Sequence, residues 1–160
     1  MNILLPPLQD EGGLRLEYLE TASHKGLCVP TRFYLMKDAH GVAVGDINLR
    51  LHSTQQILLY GGHIGYTVYP QFRGEHYAAR AVRLLIPGAR GFGIDPLWIT
   101  TDPENTASRR TCELAGAVYV ETIQILYHQA IFPEGRPCKC RYRLSTAHES
   151  KAQKVPSEQP

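Results

Sequence analysis

The sequence lacks the features that mark most specialised chains. No stretch reaches the about 18 uninterrupted apolar residues of a membrane-spanning helix, so no membrane partner is expected. Neither charge sign is in excess: 17 Lys and Arg stand against 15 Asp and Glu, and the formal charge is +2. The basic residues are scattered rather than gathered into a stripe, which argues against a nucleic-acid partner. The four cysteines, Cys28, Cys112, Cys138 and Cys140, offer no second ligand pair at zinc spacing. Reduced thiols and no metal are therefore expected. The apolar start "MNILLPPLQDEGG" has no positive n-region and no small-residue cleavage site, so it does not read as a signal peptide. These features together point to the cytoplasm. There is no internal repeat. There is also no G-x-G-x-x-G and no G-K-[ST], which excludes a dinucleotide fingerprint and a P-loop.

What is present suits one folded unit. The chain has 160 residues, 43% of them apolar and 20% charged, enough to bury a core. Residues 1–13 read as an irregular arm, and "LRLEYLE" (14–20) alternates as a strand. "TASHKGLCVP" is a loop. "TRFYLMKD" (31–38) and "VAVGDINLRL" (42–51) form a hairpin around "AHG". After a connection, "HIGYTVY" (63–69) is a strand ended by Pro70. Ala78, Ala81, Val82, Leu85 and Ile86 recur at helical spacing, so residues 75–91 form a helix that Pro87 should kink or end. "PLWITTD" (96–102) is a buried strand. "NTASRRTCELAG" (105–116) is a short helix stopped by Gly116. Strands follow at 117–128 and 138–145. The polar tail from 146 to 160 is expected to be disordered, leaving residues 1–145 as a single domain. A strand, a helix and a second parallel strand make a right-handed crossover, which brings the C-terminal ends of strands 63–69 and 96–102 together over a crevice.

"QFRGEHYAARAVRLL" sits at that crevice. A helix N-terminus offers unpaired N–H groups and a partial positive charge, which suit an anion. Gly74 lets a ligand approach the backbone, and Arg73 adds a cation. These are the ingredients of a phosphate cradle. A plain strand–helix turn with one exposed arginine is the other reading of the same residues.

"GHIGYTVYPQFRGEHYA", followed by a helix, a strand and "DPENTASRRTCELAGA", resembles the GNAT acetyltransferase superfamily. Its motif Q/R-x-x-G-x-G/A stands here as Gln71-Phe72-Arg73-Gly74-Glu75-His76. Its later motif matches Asn105, Ala107, Ser108 and Gly116. The resemblance covers about residues 31–145. More narrowly, the chain resembles a branch with R-G-x-H-Y-A and a terminal K-C-x-Y-R, some members of which are linked to sugar-phosphate aldolases.

The resemblance implies an α/β (α+β) fold with a mixed, mostly antiparallel sheet. A central parallel strand pair in that sheet splays into a V, and helices flank it. It implies acetyl-CoA, or another acyl-CoA, as co-substrate. The donor would meet Tyr66, Thr67 and Val68 along its pantetheine arm. Phe72 would also meet the donor, and the pyrophosphate would sit on the amides of Arg73, Gly74, Glu75, His76, Tyr77 and Ala78. Asn105, Ser108 and Cys112 would face it from the second helix. The activity implied is transfer of acetyl to an amine of a small molecule or peptide, by a homodimer. The alternative is a catalytically weak CoA-binding sensor or interaction module. The family usually places two helices in the N-terminal interval, where none is evident here, so a partner chain could complete the site.

Acetyl transfer to an amine needs a base, an oxyanion donor and an acid for the leaving thiolate. The backbone N–H of Val68 suits the oxyanion. His63, at the head of the splayed strand, is the first candidate base; it could equally be a packed strand-end histidine. Glu121 is the second, with Asp46 and Asp102 behind it. Many family members carry a tyrosine seven residues after the motif asparagine, where this chain has Cys112. Cys112 could donate a proton or simply pack the helix, and Tyr119 is nearby. His76 could reach the pyrophosphate, or cap the first turn and pack on Tyr77. Tyr127, Glu134 and Arg136, around the 129–137 connection, could touch the acceptor.

Overall fold

The structure is a computed structural model that describes residues 8–23, 26–125 and 138–148. Among the described residues seven strands fold into two sheets. β1 (Arg15–Ser23), β2 (Pro30–Lys37), β3 (Ala43–Arg50) and β4 (Ile64–Val68) lie in that order in the first. β5 (Leu97–Thr101), β7 (Cys138–Leu144) and β6 (Val118–Gln124) make the second, with β7 central. Every ladder between these strands is antiparallel. The fold is thus α+β, its strands arranged in two antiparallel sheets. β1 runs on through Ser23, past its predicted end, because a bulge between Tyr18 and Glu20 restores its pairing with β2.

His63 and Trp98 join the two sheets. The His63 N–H donates to the Trp98 carbonyl at 2.7 Å, and the Trp98 N–H donates to His63 Nδ1 at 2.9 Å. Gly62 makes this approach feasible. Its φ is +68°, and a Cβ there would stand 2.8 Å from the Trp98 carbonyl oxygen. Beyond the joint β4 and β5 share no ladder among the described residues, so they are the splayed pair expected from the sequence.

A single π-helical turn, Ile57–Gly61, lies in what the sequence offered only as a connection. Ile57 is buried, and the Tyr60 carbonyl accepts from Thr100 Oγ1 at 2.7 Å, which braces the turn on β5. α1 (Tyr77–Gly91) follows β4. It buries Ala79, Ala81, Val82, Leu85 and Ala89 in one core with Leu16, Met36, Ile47, Leu49 and Ile64 of the first sheet. Each large side chain so buried contributes about 1.5–3 kcal/mol. Pro87 does not end the helix, which continues to Gly91. Leu85 and Ala89, buried on either side of it, hold the last turn in place.

α2 (Thr106–Leu114) begins where Asn105 Oδ1 accepts from the Ser108 N–H at 3.0 Å, an N-cap that satisfies one free amide. It closes at Gly116, with φ +91°. Thr146, expected in the tail, is fully buried: its hydroxyl donates to the Ile94 carbonyl and its N–H to Asp95 Oδ1 at 2.9 Å. Residues 149–160 lie outside the described residues, as does the end of the predicted strand 117–128 beyond residue 125.

Candidate active site

Because β4 and β5 part after His63, a cleft of about 560 Å³ opens between β4, the first turn of α1 and α2. Tyr66, Thr67 and Val68 line it from β4, and Phe72, Arg73, Gly74, His76, Tyr77 and Ala78 line its mouth. Asn105 and Ser108 face it from α2. Eleven of the thirteen residues anticipated around a donor are therefore gathered here. Glu75 and Cys112 are not. Glu75 is exposed beside the mouth, and Cys112 is buried beneath the wall.

The mouth is built for a negative group. Pro70–Phe72 form a 3-10 turn that ends β4 and redirects the chain. Gly74 has φ +101° and open space where a Cβ would stand, so its backbone is accessible. His76 has φ 59°, a left-handed conformation, and makes no side-chain cap. This is why α1 starts at Tyr77, two residues after the predicted start. The first intrahelical bond runs from the Arg80 N–H to the His76 carbonyl. The amides of Tyr77, Ala78 and Ala79 therefore have no partner within the helix. No acidic residue occupies that first turn. Arg73 donates to the Val68 carbonyl at 3.3 Å and remains exposed, whereas Arg110, which lines the cleft from α2, is paired with Glu113 at 3.0 Å. Among the described residues no carboxylate lines the cleft.

Across the floor, the Tyr66 hydroxyl and Ser108 Oγ are 2.6 Å apart, linking β4 to α2. Burial, and then the neighbouring Cys112, raises the Tyr66 phenol well above the usual range. Burial pushes the Cys112 thiol up to about 11. Both groups are neutral at neutral pH, and Cys112 does not reach the cleft surface.

The structure sets the first candidate base aside. His63 is fully buried, and burial together with the Arg50 charge lowers its imidazole to about 4. Nδ1 accepts from the Trp98 N–H and Nε2 meets Ser53 Oγ at 2.9 Å, so no lone pair is left for a substrate. It joins the two sheets. Glu121 sits on β6, outside the cleft, held by Arg141 at 2.6 Å. Asp102 pairs with Lys139, and the Tyr119 hydroxyl meets Thr122 at 2.7 Å; both also lie outside the cleft. Asp46 sits half-buried on β3, its carboxyl raised by burial. Tyr127, Glu134 and Arg136 lie outside the described residues.

Four lining residues escaped the sequence reading as donor contacts: Ala107, Arg110, Thr111 and Leu114. Their spacing was the available signal. Positions i, i+3, i+4 and i+7 form one face of α2, and the cleft lies along it.

The family profile of the acetyltransferase (GNAT) domain matches residues 11–118. The chain belongs to the GNAT acetyltransferase family. Its fold is similar to the yncA protein of Salmonella typhimurium, solved with its cofactor acetyl-CoA. The two are 15% identical with a TM-score of 0.56, over 75% of this chain and 67% of that one. It is similar to the spermidine/spermine N-acetyltransferase SpeG of Vibrio cholerae, solved with manganese ions. Here the identity is 13% and the TM-score 0.60, over 83% and 92% of the two chains. The microcin C7 self-immunity acetyltransferase MccE, in complex with acetyl-CoA and AMP, is 16% identical with a TM-score of 0.56. That match covers 72% of this chain but only 61% of MccE. No curated protein matches the sequence significantly. At these identities the solved structures speak for the fold.

Proposed function

We propose that the protein is an acetyl-CoA-dependent N-acetyltransferase that passes the acetyl group directly to an amine. The observation that carries this is the splay of β4 from β5, which opens straight onto the N-terminus of α1. An unpaired strand edge offers N–H and C=O groups to an extended chain, as a neighbouring strand would. The amide-bearing pantetheine arm fits along Tyr66–Val68. The pyrophosphate then meets the free amides of the first turn of α1 and the guanidinium of Arg73. The amine nitrogen attacks the thioester carbonyl carbon, the C–S bond breaks, and the thiolate gains the proton that the amine loses. A backbone N–H such as that of Val68 steadies the oxyanion. The single domain, cytoplasmic setting and homodimer expected from the sequence accompany this reading.

Thermal unfolding tests it. Acetyl-CoA binds only the folded chain and raises Tm as its concentration exceeds Kd. Arg73→Ala, which removes a charge-assisted contact of roughly 1.5–3 kcal/mol, lowers donor affinity by about ten- to hundredfold. The absence of any Tm shift at millimolar acetyl-CoA would overturn the donor site.

Among the described residues no carboxylate lines the cleft wall, and neither His63, Glu121 nor Cys112 reaches it. A CoA-binding sensor with little catalysis would show the same Tm shift but no thiol release with any amine.

A further inference from the structure

The cleft has a closed end as well as a mouth. Tyr66 is the first residue of β4 to line it; Ile64 and Gly65, before it in the strand, do not. Tyr66 stands opposite Ile47 of β3, so its ring leaves the strand on the core side, the side that carries α1. The ring lies half-buried against the core. Its hydroxyl crosses to α2, where it meets Ser108 Oγ at 2.6 Å and lies 3.4 Å from the Ser108 carbonyl oxygen. A side chain held at both ends, by its own strand and by α2, is a strut across the cleft.

The far anchor of the strut is itself fixed. The Ser108 N–H donates to Asn105 Oδ1 at 3.0 Å, in the N-cap of α2. Cys112, one turn further along α2, lies beside the phenol and is fully buried. It belongs to the same core as Ile64 and Ile99. The close packing of such a core leaves the ring little room to retreat. With its pyrophosphate at the first turn of α1, the donor arm runs back along β4 from Val68 toward Tyr66. The thioester comes last, so the acyl group arrives at the strut.

We infer that Tyr66 selects the acyl group: held by Ser108, its ring ends the cleft beyond the thioester and confines the donor to acetyl-CoA. This deepens the acetyltransferase reading above and rests on it. A longer acyl chain must displace the ring, which breaks the Tyr66–Ser108 bond and presses on Cys112. The discrimination is steric and follows the number of methylenes. One methylene against an apolar wall discriminates by about ten- to two-hundredfold. Butyryl-CoA, two methylenes longer than acetyl-CoA, is therefore refused. The wall makes no such demand on CoA itself, whose thiol ends short of the strut.

The test is calorimetric titration of the wild type, Tyr66→Val and Ser108→Ala with CoA, acetyl-CoA and butyryl-CoA. The ratio of the butyryl-CoA Kd to the acetyl-CoA Kd is read within each variant, so a general loss of donor affinity cancels. In the wild type the ratio is expected to be about thirtyfold or more. Tyr66→Val removes the wall and lowers it to about threefold or less, because the longer chain fills the space that the ring leaves. Ser108→Ala keeps the ring but frees its end, and the ratio falls severalfold. Equal Kd values for acetyl-CoA and butyryl-CoA in the wild type overturn the assignment. So does a wild-type ratio retained in Tyr66→Val, or in Ser108→Ala should the valine variant not fold. A wild type that binds none of the three ligands instead brings down the donor reading, and the selection with it.

Discussion

At position 76 the backbone demands a left-handed residue, and the chain supplies a histidine. With φ 59° and no cap bond, His76 holds a conformation that costs a side-chain-bearing residue about 1–2 kcal/mol. His76→Gly removes that cost but adds about 0.5–1 kcal/mol of backbone entropy loss. A net gain of up to about 1.5 kcal/mol in urea unfolding is expected. A loss would mean that the imidazole makes a contact worth more than the strain. The sequence showed the departure from the motif's second glycine, but not that the position requires positive φ. His63 was harder still to read. Residue type gives the pKa of imidazole in water, whereas its role here is set by burial and by the backbone of Trp98, 35 residues away.

The elements that were legible are those with a period. The alternation of β1 and the helical spacing of α1 gave type and place, with boundaries off by a few residues. The π-turn had no period to show, since a single turn repeats nothing. Division into two sheets was invisible because sequence order does not state which strands adjoin. One side chain crosses between these elements. Arg141 of β7 is buried, donates to the Leu58 carbonyl of the π-turn at 2.7 Å, and lies 4.1 Å over the Trp98 ring. Its carboxylate partner Glu121 is 49% exposed. Arg141→Met leaves the Leu58 carbonyl unsatisfied and is expected to cost roughly 2–4 kcal/mol. Glu121→Gln weakens a half-solvated pair and costs less than about 1 kcal/mol. Equal losses in denaturant unfolding would show that the ion pair, rather than the carbonyl bonds, anchors the turn.

The molecule as a whole inherits a pH dependence from its joint. An unfolded chain protonates His63 near 6.5, while the folded one waits until about 4. As pH falls between those values the unfolded state binds the extra proton. Stability present above 6.5 is therefore lost progressively, by about 3 kcal/mol once pH is below 4. Urea midpoints at pH 7 and pH 4.5 should differ accordingly, and His63→Gln should flatten the difference. An unchanged slope in the variant would place the acid sensitivity elsewhere.

The same joint carries the only tryptophan in the chain. Trp98 exchanges backbone bonds with His63 and lies beneath the guanidinium of Arg141, at the vertex from which the cleft opens. Its fluorescence is thus a built-in gauge of one place. Emission reports on the vertex without a label and without background from a second indole, so the opening angle of the cleft can be followed in the unmodified protein.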